Sequence, residues 1–547
     1  MKKRIDKYKV MKKNNFVDGA FVATLGIVIS KVMGILYVIP FYSIIGEKGG
    51  ALYGYAYTIY LLFMAISSAG IPLAISKIIS EYHTLGYEDA KKRAFYIGKK
   101  IALTLGLICF IILFIFAPNI SKLILGDLKG GNTLEDVTYV IRVISTAILV
   151  VPVLSIYRGY FEGHKFISPA SISQVIEQIV RVSIIIIGSF LVFKVFKLEL
   201  RNAVGIAVFG ATLGSLTAYF YLFVTRFKNR KKFNTKGSKE PRITDKEICR
   251  KIIIYAFPLV MIDIFKSLYS VVDTFTVVKN LGPLYGVKDA ESIMSIFSTW
   301  GAKFNMIVIA ISTGMIVSLI PNLTSSYVTN NMDDVRKKIN QSFQMLIFLI
   351  LPMTVGLSFL ARPIYYLFYG ASHYGASIFT LYIFVAFITS LYTVAVTICQ
   401  VLKYYKVVFI SLISGLLLKA LINVSLINEL YSLGLPGYYG PVIATILAYT
   451  LSFIICLVAI NIYCGVNYEK TINQAVNELC GTIIMVISLL IVKLIIPIYS
   501  EARIINLFII IIYSIIGSIV YLFYMDKTNS IRDIYGDNFI KKLKKKA

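Results

Sequence analysis

AISSAGIPLAISKIISEYHTLGYEDAKKR, residues 65–93, returns as AISTGMIVSLIPNLTSSYVTNNMDDVRKK at residues 310–338. The two align without a gap, Ala65 falling on Ala310. Ala65, Ile66 and Ser67 meet Ala310, Ile311 and Ser312; Ser80, Tyr82 and Thr84 meet Ser325, Tyr327 and Thr329; Asp89 and Lys92 meet Asp334 and Lys337. At the same offset Pro118 meets Pro363. Apolar runs match one another cheaply, so the polar matches around Tyr82 and Asp89 carry the inference. It is one of two homologous halves, expected to pack side by side with the working site between them.

Around this repeat the chain is strongly apolar. Of 547 residues 57% are hydrophobic and 15% charged, with a mean hydropathy of +0.77. A soluble fold does not hide that much apolar surface, so the chain reads as an all-α polytopic membrane protein. Lipid offers backbone groups no partner, so each crossing must be a helix. About fourteen apolar runs reach the roughly 20 residues that a crossing needs. They divide the chain into a basic N-terminus (1–18), a six-helix lobe (19–225), a basic linker (226–251), a second six-helix lobe (252–464), two additional helices (465–526) and a basic tail (527–547). The first apolar run lacks a small-residue cleavage site and reads as a retained span.

The net charge of +28 is not a nucleic-acid signature, because the basic residues cluster between apolar runs. Lys91, Lys92 and Arg93, Arg336, Lys337 and Lys338, the linker and the tail all belong to this pattern. The positive-inside rule then puts both termini in the cytoplasm and the basic clusters against the anionic inner leaflet. An even number of spans per half makes the halves point the same way, related by an axis along the membrane normal.

Charges inside spans are costly and point to function. Lys31 lies mid-way along the first span. Glu177 and Arg181, four residues apart, are expected to pair on one face. Asp263, Lys266 and Asp273 fall near one face of the seventh span; Lys303 lies in the eighth and Lys419 in the eleventh. Arg142 and Lys493 sit nearer span ends, where snorkelling accounts for them. With the halves facing each other, Lys31, Lys266 and Lys303 line one cationic cavity, suited to an anionic group such as phosphate; Asp273, Glu177 and Arg181 complete the candidate set. The competing reading pairs Lys266 with Asp263 and Arg181 with Glu177 locally. Gly70 and Pro72 in the second span, and Gly314 and Pro321 in the matching eighth, are expected to break or bend their helices as hinges. Six scattered cysteines show no ligand or disulfide spacing. Without GxxxxGK[ST], HExxH or GxSxG there is no nucleotide-driven or hydrolytic motif, and neither an enzyme nor a cofactor is expected.

Three stretches, SSAGIPLAISKIISEY (67–82), YRGYFEGHKFISPASISQVIEQIVRV (157–182) and GAKFNMIVIAISTGMIVSLIPNL (301–323), together with Ser30, Lys31 and Gly34, resemble one family. It is the stage V sporulation protein B branch of the multidrug/oligosaccharidyl-lipid/polysaccharide flippase superfamily, which groups with the MurJ-type lipid II flippases. The resemblance covers essentially the whole chain. It implies two six-helix lobes plus two helices, and export of an undecaprenyl-pyrophosphate-linked cell-wall precursor, lipid II above all, by alternating access. Cavity cations, among them Lys31 and Lys303, would hold the head group; a coupling ion (sodium or proton) or the membrane potential would reset the cycle. Where MurJ-type proteins often carry Arg-Asp in the first span, this chain has Tyr37 and Val38. Alternatives are a flippase for another polyprenyl-linked glycan, a cation-coupled multidrug exporter, which needs an acidic cavity, and a non-transporting scaffold, which gains nothing from buried lysines.

Overall fold

The computed structural model describes residues 30, 32–229, 233 and 242–535, with the side chains of 533–535 excepted. Every regular element among them is helical, as apolar runs in lipid require. The helices are α1 (Val38–Ser68), α2 (Ile71–Leu85), α3 (Glu88–Leu125), α4 (Leu134–Ser145), α5 (Ala147–Gly163), α6 (Ile167–Ser183), α7 (Leu200–Lys228), α8 (Asp245–Tyr285), α9 (Val287–Ser295), α10 (Gly301–Val328), α11 (Met332–Phe359), α12 (Ala361–Tyr369), α13 (Gly375–Val401), α14 (Tyr405–Ser432), α15 (Gly440–Cys464), α16 (Glu469–Ile495), α17 (Arg503–Lys527) and α18 (Ser530–Tyr535). Single π-helical turns extend α6 and precede α10.

Among the described residues, 12 helical stretches are long and apolar enough to cross a membrane, against about fourteen expected. Val32–Leu85, counted once, runs to 54 residues and contains two breaks, one inside α1 at Gly46 (φ +63°, ψ −164°) and one between α1 and α2. The 41-residue α8, which carries Asp263, Lys266 and Asp273, is not among the 12.

The chain forms two compact units, residues 1–271 and 272–547, which part inside α8. In the first unit, α2, α3, α5, α7 and the start of α8 share a core that includes Ile75, Ile78, Phe95, Ile156, Phe161 and Leu222. Helices in lipid gain little from excluding water and associate through close packing of small residues. Gly159 and Gly163 of α5 accordingly lie directly against the backbone carbonyls of Pro72 and Ser76 in α2. In the second unit α14 and α15 form a hairpin that α13 packs against, and α16 and α17 lean on α11 and α12.

The first expected hinge is a true helix break. α1 ends at Ser68, Ala69 is extended (ψ 142°), and Gly70 takes φ +69°, a conformation that costs other residues strain. Pro72 then sits in the first turn of α2, where its missing N–H costs nothing. The second expected hinge is not a break. α10 runs unbroken through Gly314 and Pro321. Lone Gly lowers helix propensity and lone Pro removes one hydrogen bond, but seven residues apart they do not add up to a break. Ser318, Asn322 and Thr324 spend their side chains on carbonyls of the same helix.

The repeated segment folds alike in both units. After α2, Gly86 (φ +75°) and Tyr87 (φ −83°, ψ 80°) lead into α3; after α10, Asn330 (φ +54°) and Asn331 (φ −84°, ψ 80°) lead into α11. The turns share one shape one residue out of step with the gapless alignment. The match of Pro118 to Pro363 does not extend to structure, since Pro118 lies within continuous α3 and Pro363 in the separate α12.

Candidate functional site

In the first unit, Tyr53, Tyr57 and Tyr60 occupy positions i, i+4 and i+7 of α1 and so share a face. Tyr53 and Tyr57 stack at 5.5 Å and 12°. Onto this face comes Arg181 of α6, whose Nη2 donates to the Tyr57 hydroxyl at 2.9 Å while the guanidinium lies 5.3 Å from the ring centre. Tyr53, Tyr60 and Tyr37 also lie within its electrostatic reach. An arginine embedded in aromatic rings keeps its charge while lowering its desolvation cost.

The expected pairing of Glu177 with Arg181 is not made. Glu177 Oε2 instead accepts from Arg158 Nη2 of α5 at 2.6 Å, and Arg158 Nε donates to Ser173 at 2.9 Å. An i,i+4 pair on one helix is weak; a cross-helix pair that also satisfies a serine, only 17% and 18% exposed, outcompetes it. Arg181 is thereby left with a tyrosine hydroxyl rather than a carboxylate. The first span approaches the same helix, since Gly34 faces Gln178. Lys31 itself lies outside the described residues.

In the second unit Asp273 of α8 meets Lys419 of α14, Nζ to Oδ2 at 2.6 Å. Asn423, one turn on, donates to Thr276 Oγ1 at 2.7 Å and lies 3.4 Å from Asp273 Oδ1. Asp273 is thus committed to a local polar cluster. Asp263 and Lys266 attract each other along α8 but do not close into an ion pair. Asp263 is exposed and Lys266 half-buried. Lys303 stands half-buried in the first turn of α10.

The basic clusters at the helix ends are partly structural. Glu88 pairs with Lys91 and Asp89 with Arg93 at 2.7 Å each. Asp333 pairs with Arg336 at 2.9 Å and Asp334 with Lys338 at 2.7 Å, at matching repeat positions. Lys91 is 2% exposed and also donates to the Phe233 carbonyl. Its expected place against lipid is therefore wrong, because its ammonium is enclosed by protein acceptors.

Residues 16–287 match the polysaccharide biosynthesis protein family. Over 536 residues, 96% of this chain and 97% of its relative, the sequence is 32% identical to the lipid II flippase MurJ of Bacillus subtilis (strain 168). The chain belongs to the MurJ family. This MurJ-type chain is also 28% identical to the stage V sporulation protein B of the same organism, over 221 residues and 40% of each chain. A solved structure of lipid II flippase MurJ in an inward closed conformation superposes with a TM-score of 0.69 at 18% identity, covering 94% of this chain and 100% of that one, which shows a shared fold. The MurJ-type membership makes the chain a multi-pass plasma-membrane protein.

Some polar residues of this MurJ-type chain escaped the sequence reading. Arg158 lies in the YRGYFEG stretch at 157–163, and nothing local marks Glu177 as its partner. The tyrosine face was open to view as the 53, 57, 60 spacing. Lys419 is legible as an intramembrane charge, but its pairing with Asp273 joins residues 146 positions apart and has no periodic signature.

Proposed function

We propose that this protein is a flippase that exports an undecaprenyl-pyrophosphate-linked cell-wall precursor, lipid II in the first instance, by alternating access. The single observation that carries this reading is full-length similarity to a relative named as a lipid II flippase. The retention of costly cations within membrane helices supports it. Lys31, Lys266 and Lys303 neutralise the pyrophosphate, and Arg181, which has no carboxylate partner among the described residues, adds a fourth cation of fixed orientation. The polyprenyl tail stays in the bilayer. The break at Gly70 and Pro72 lets α1 and α2 change their mutual angle during the cycle. Both termini lie in the cytoplasm, where the basic segments face anionic lipid. The membrane potential, worth about 2.3 kcal/mol per charge at 100 mV, drives the emptied cationic site back.

The test is translocation of a fluorescent polyprenyl-pyrophosphate glycan in proteoliposomes, with and without an imposed potential. Lys266→Ala, Lys303→Ala and Arg181→Ala are each expected to cut the rate at least tenfold. Wild-type rates in all three would remove the cationic-site reading. A panel of glycan head groups separates lipid II from another polyprenyl-linked unit, the alternative that the polysaccharide biosynthesis family name keeps in view.

A further inference from the structure

The second unit carries a polar cavity that plays no part in the reading above. It has a volume of about 800 Å³ and is walled by α11, α16 and the turn after α17. Its 13 lining residues include three cations, Arg336, Lys337 and Lys470, and seven carboxamide side chains, but no carboxylate and no aromatic ring.

Its side chains divide into two sets. Arg336, Asn340 and Asn477 build the walls. Arg336 Nε donates to the Cys464 carbonyl at 2.7 Å and its Nη1 to Asp333 at 2.9 Å. Asn340 donates to the Asn467 carbonyl at 3.0 Å and accepts from Thr471. Asn477 donates to Thr528 at 3.0 Å. The second set, Lys337, Gln341, Gln344, Lys470 and Asn473, forms no hydrogen bond or ion pair among the described residues, though all five line the same space. Lys337, Lys470 and Asn473 are exposed and Gln341 and Gln344 half-buried, so a fixed polar frame edges an open cleft with ammonium and carboxamide groups that an incoming ligand can reach. The ammonium groups suit phosphate oxygens, and carboxamides, each both donor and acceptor, suit hydroxyls. The walls hold no ring on which a nucleobase could stack. We infer that this cavity binds a phosphate ester of a polyhydroxylated group, carried either by a soluble sugar or polyol phosphate or by the head group of an anionic phospholipid.

The test uses the full-length protein. Glycerol 3-phosphate, glucose 1-phosphate and inorganic phosphate are titrated by calorimetry in detergent, and phosphatidylglycerol retained from mixed-lipid nanodiscs is counted by native mass spectrometry. Lys337→Gln/Lys470→Gln is expected to weaken binding at least tenfold, and Lys337→Arg/Lys470→Arg to preserve it. Gln341→Ala/Asn473→Ala is expected to weaken the polyol phosphates severalfold while leaving inorganic phosphate unchanged. Lys406→Gln, an exposed lysine on α14, controls for net charge. Saturable binding of the soluble esters identifies a free ligand; retention of phosphatidylglycerol alone identifies a lipid head group. No saturable binding of any probe, or binding indifferent to Lys337→Gln/Lys470→Gln, overturns the inference. It stands apart from flipping, which these variants test separately.

Discussion

Lys419 Nζ lies 2.6 Å from Asp273 Oδ2, joining α14 to the second half of α8, with the lysine side chain 1% exposed. Removing one partner of a buried pair strands the other charge, at a cost of about 3–5 kcal/mol, whereas removing both is far milder. Lys419→Met and Asp273→Asn are each expected to lower the thermal midpoint in detergent markedly. The double variant should recover much of the loss. A double variant as unstable as the sum of the singles would show that the two residues do not act as a pair.

Gly70 and Gly314, paired as hinges by sequence, should respond oppositely to alanine. At Gly70 a Cβ would come within 2.7 Å of Leu259 Cβ and 2.8 Å of the Ala256 carbonyl, and φ is +69°. Strain of this kind costs about 1–3 kcal/mol. Gly314 is helical with nothing within 4 Å of a built Cβ, so alanine there should be neutral or stabilising by up to about 1 kcal/mol. Melting temperatures of the two variants check both; a harmless Gly70→Ala would contradict the assigned backbone.

That contrast also shows what is legible in a sequence of this kind. Local chemistry read well. The helical membrane architecture follows from hydropathy, and the Ser68-to-Pro72 break from Gly and Pro crowded into five positions. The twin turns before α3 and α11, with their paired acids and bases, follow from the repeat. Interhelical partnership did not read. Glu177 has Arg181 four residues away and Arg158 nineteen away, and spacing favours the wrong one, because the choice is made by which helix face α5 presents to α6. The pair between Lys419 and Asp273 was hidden for the same reason.

The Glu177–Arg158 pair makes a charge-swap prediction. Arg158→Glu/Glu177→Arg keeps the complementary charges across α5 and α6 and should fold better than either single reversal. Glu177→Arg/Arg181→Glu, which would preserve an i,i+4 pair, should give no rescue, because it puts a carboxylate among the hydroxyls and ring faces of Tyr53, Tyr57 and Tyr60. Expression level and detergent melting temperature read both. Rescue by the second swap and not the first would restore the local pairing.

His164 makes the unit's stability acid-sensitive. It caps α5 and packs against Tyr160 at 4.4 Å and Phe233 at 4.9 Å between ring centres. A carbonyl can only accept, so the 2.8 Å contact of Nδ1 with the Tyr160 carbonyl places the ring proton on Nδ1. Nε2 is left as a buried lone pair with no hydrogen-bond partner. Burial above all, with added repulsion from Lys91 and His83, outweighs the hydrogen bond to the Tyr160 carbonyl and a weaker pull from Glu88 and lowers its pKa from 6.5 to about 4. A depressed histidine pKa means that the unfolded chain binds more protons between those values. Its stabilising contribution is therefore complete above pH 6.5 and lost as pH falls toward 4, on the order of 3 kcal/mol in all. Melting curves from pH 7.5 down to pH 4.5 should show a falling midpoint, and His164→Gln should lose most of that slope. An unchanged slope in the variant would assign the acid sensitivity to other groups.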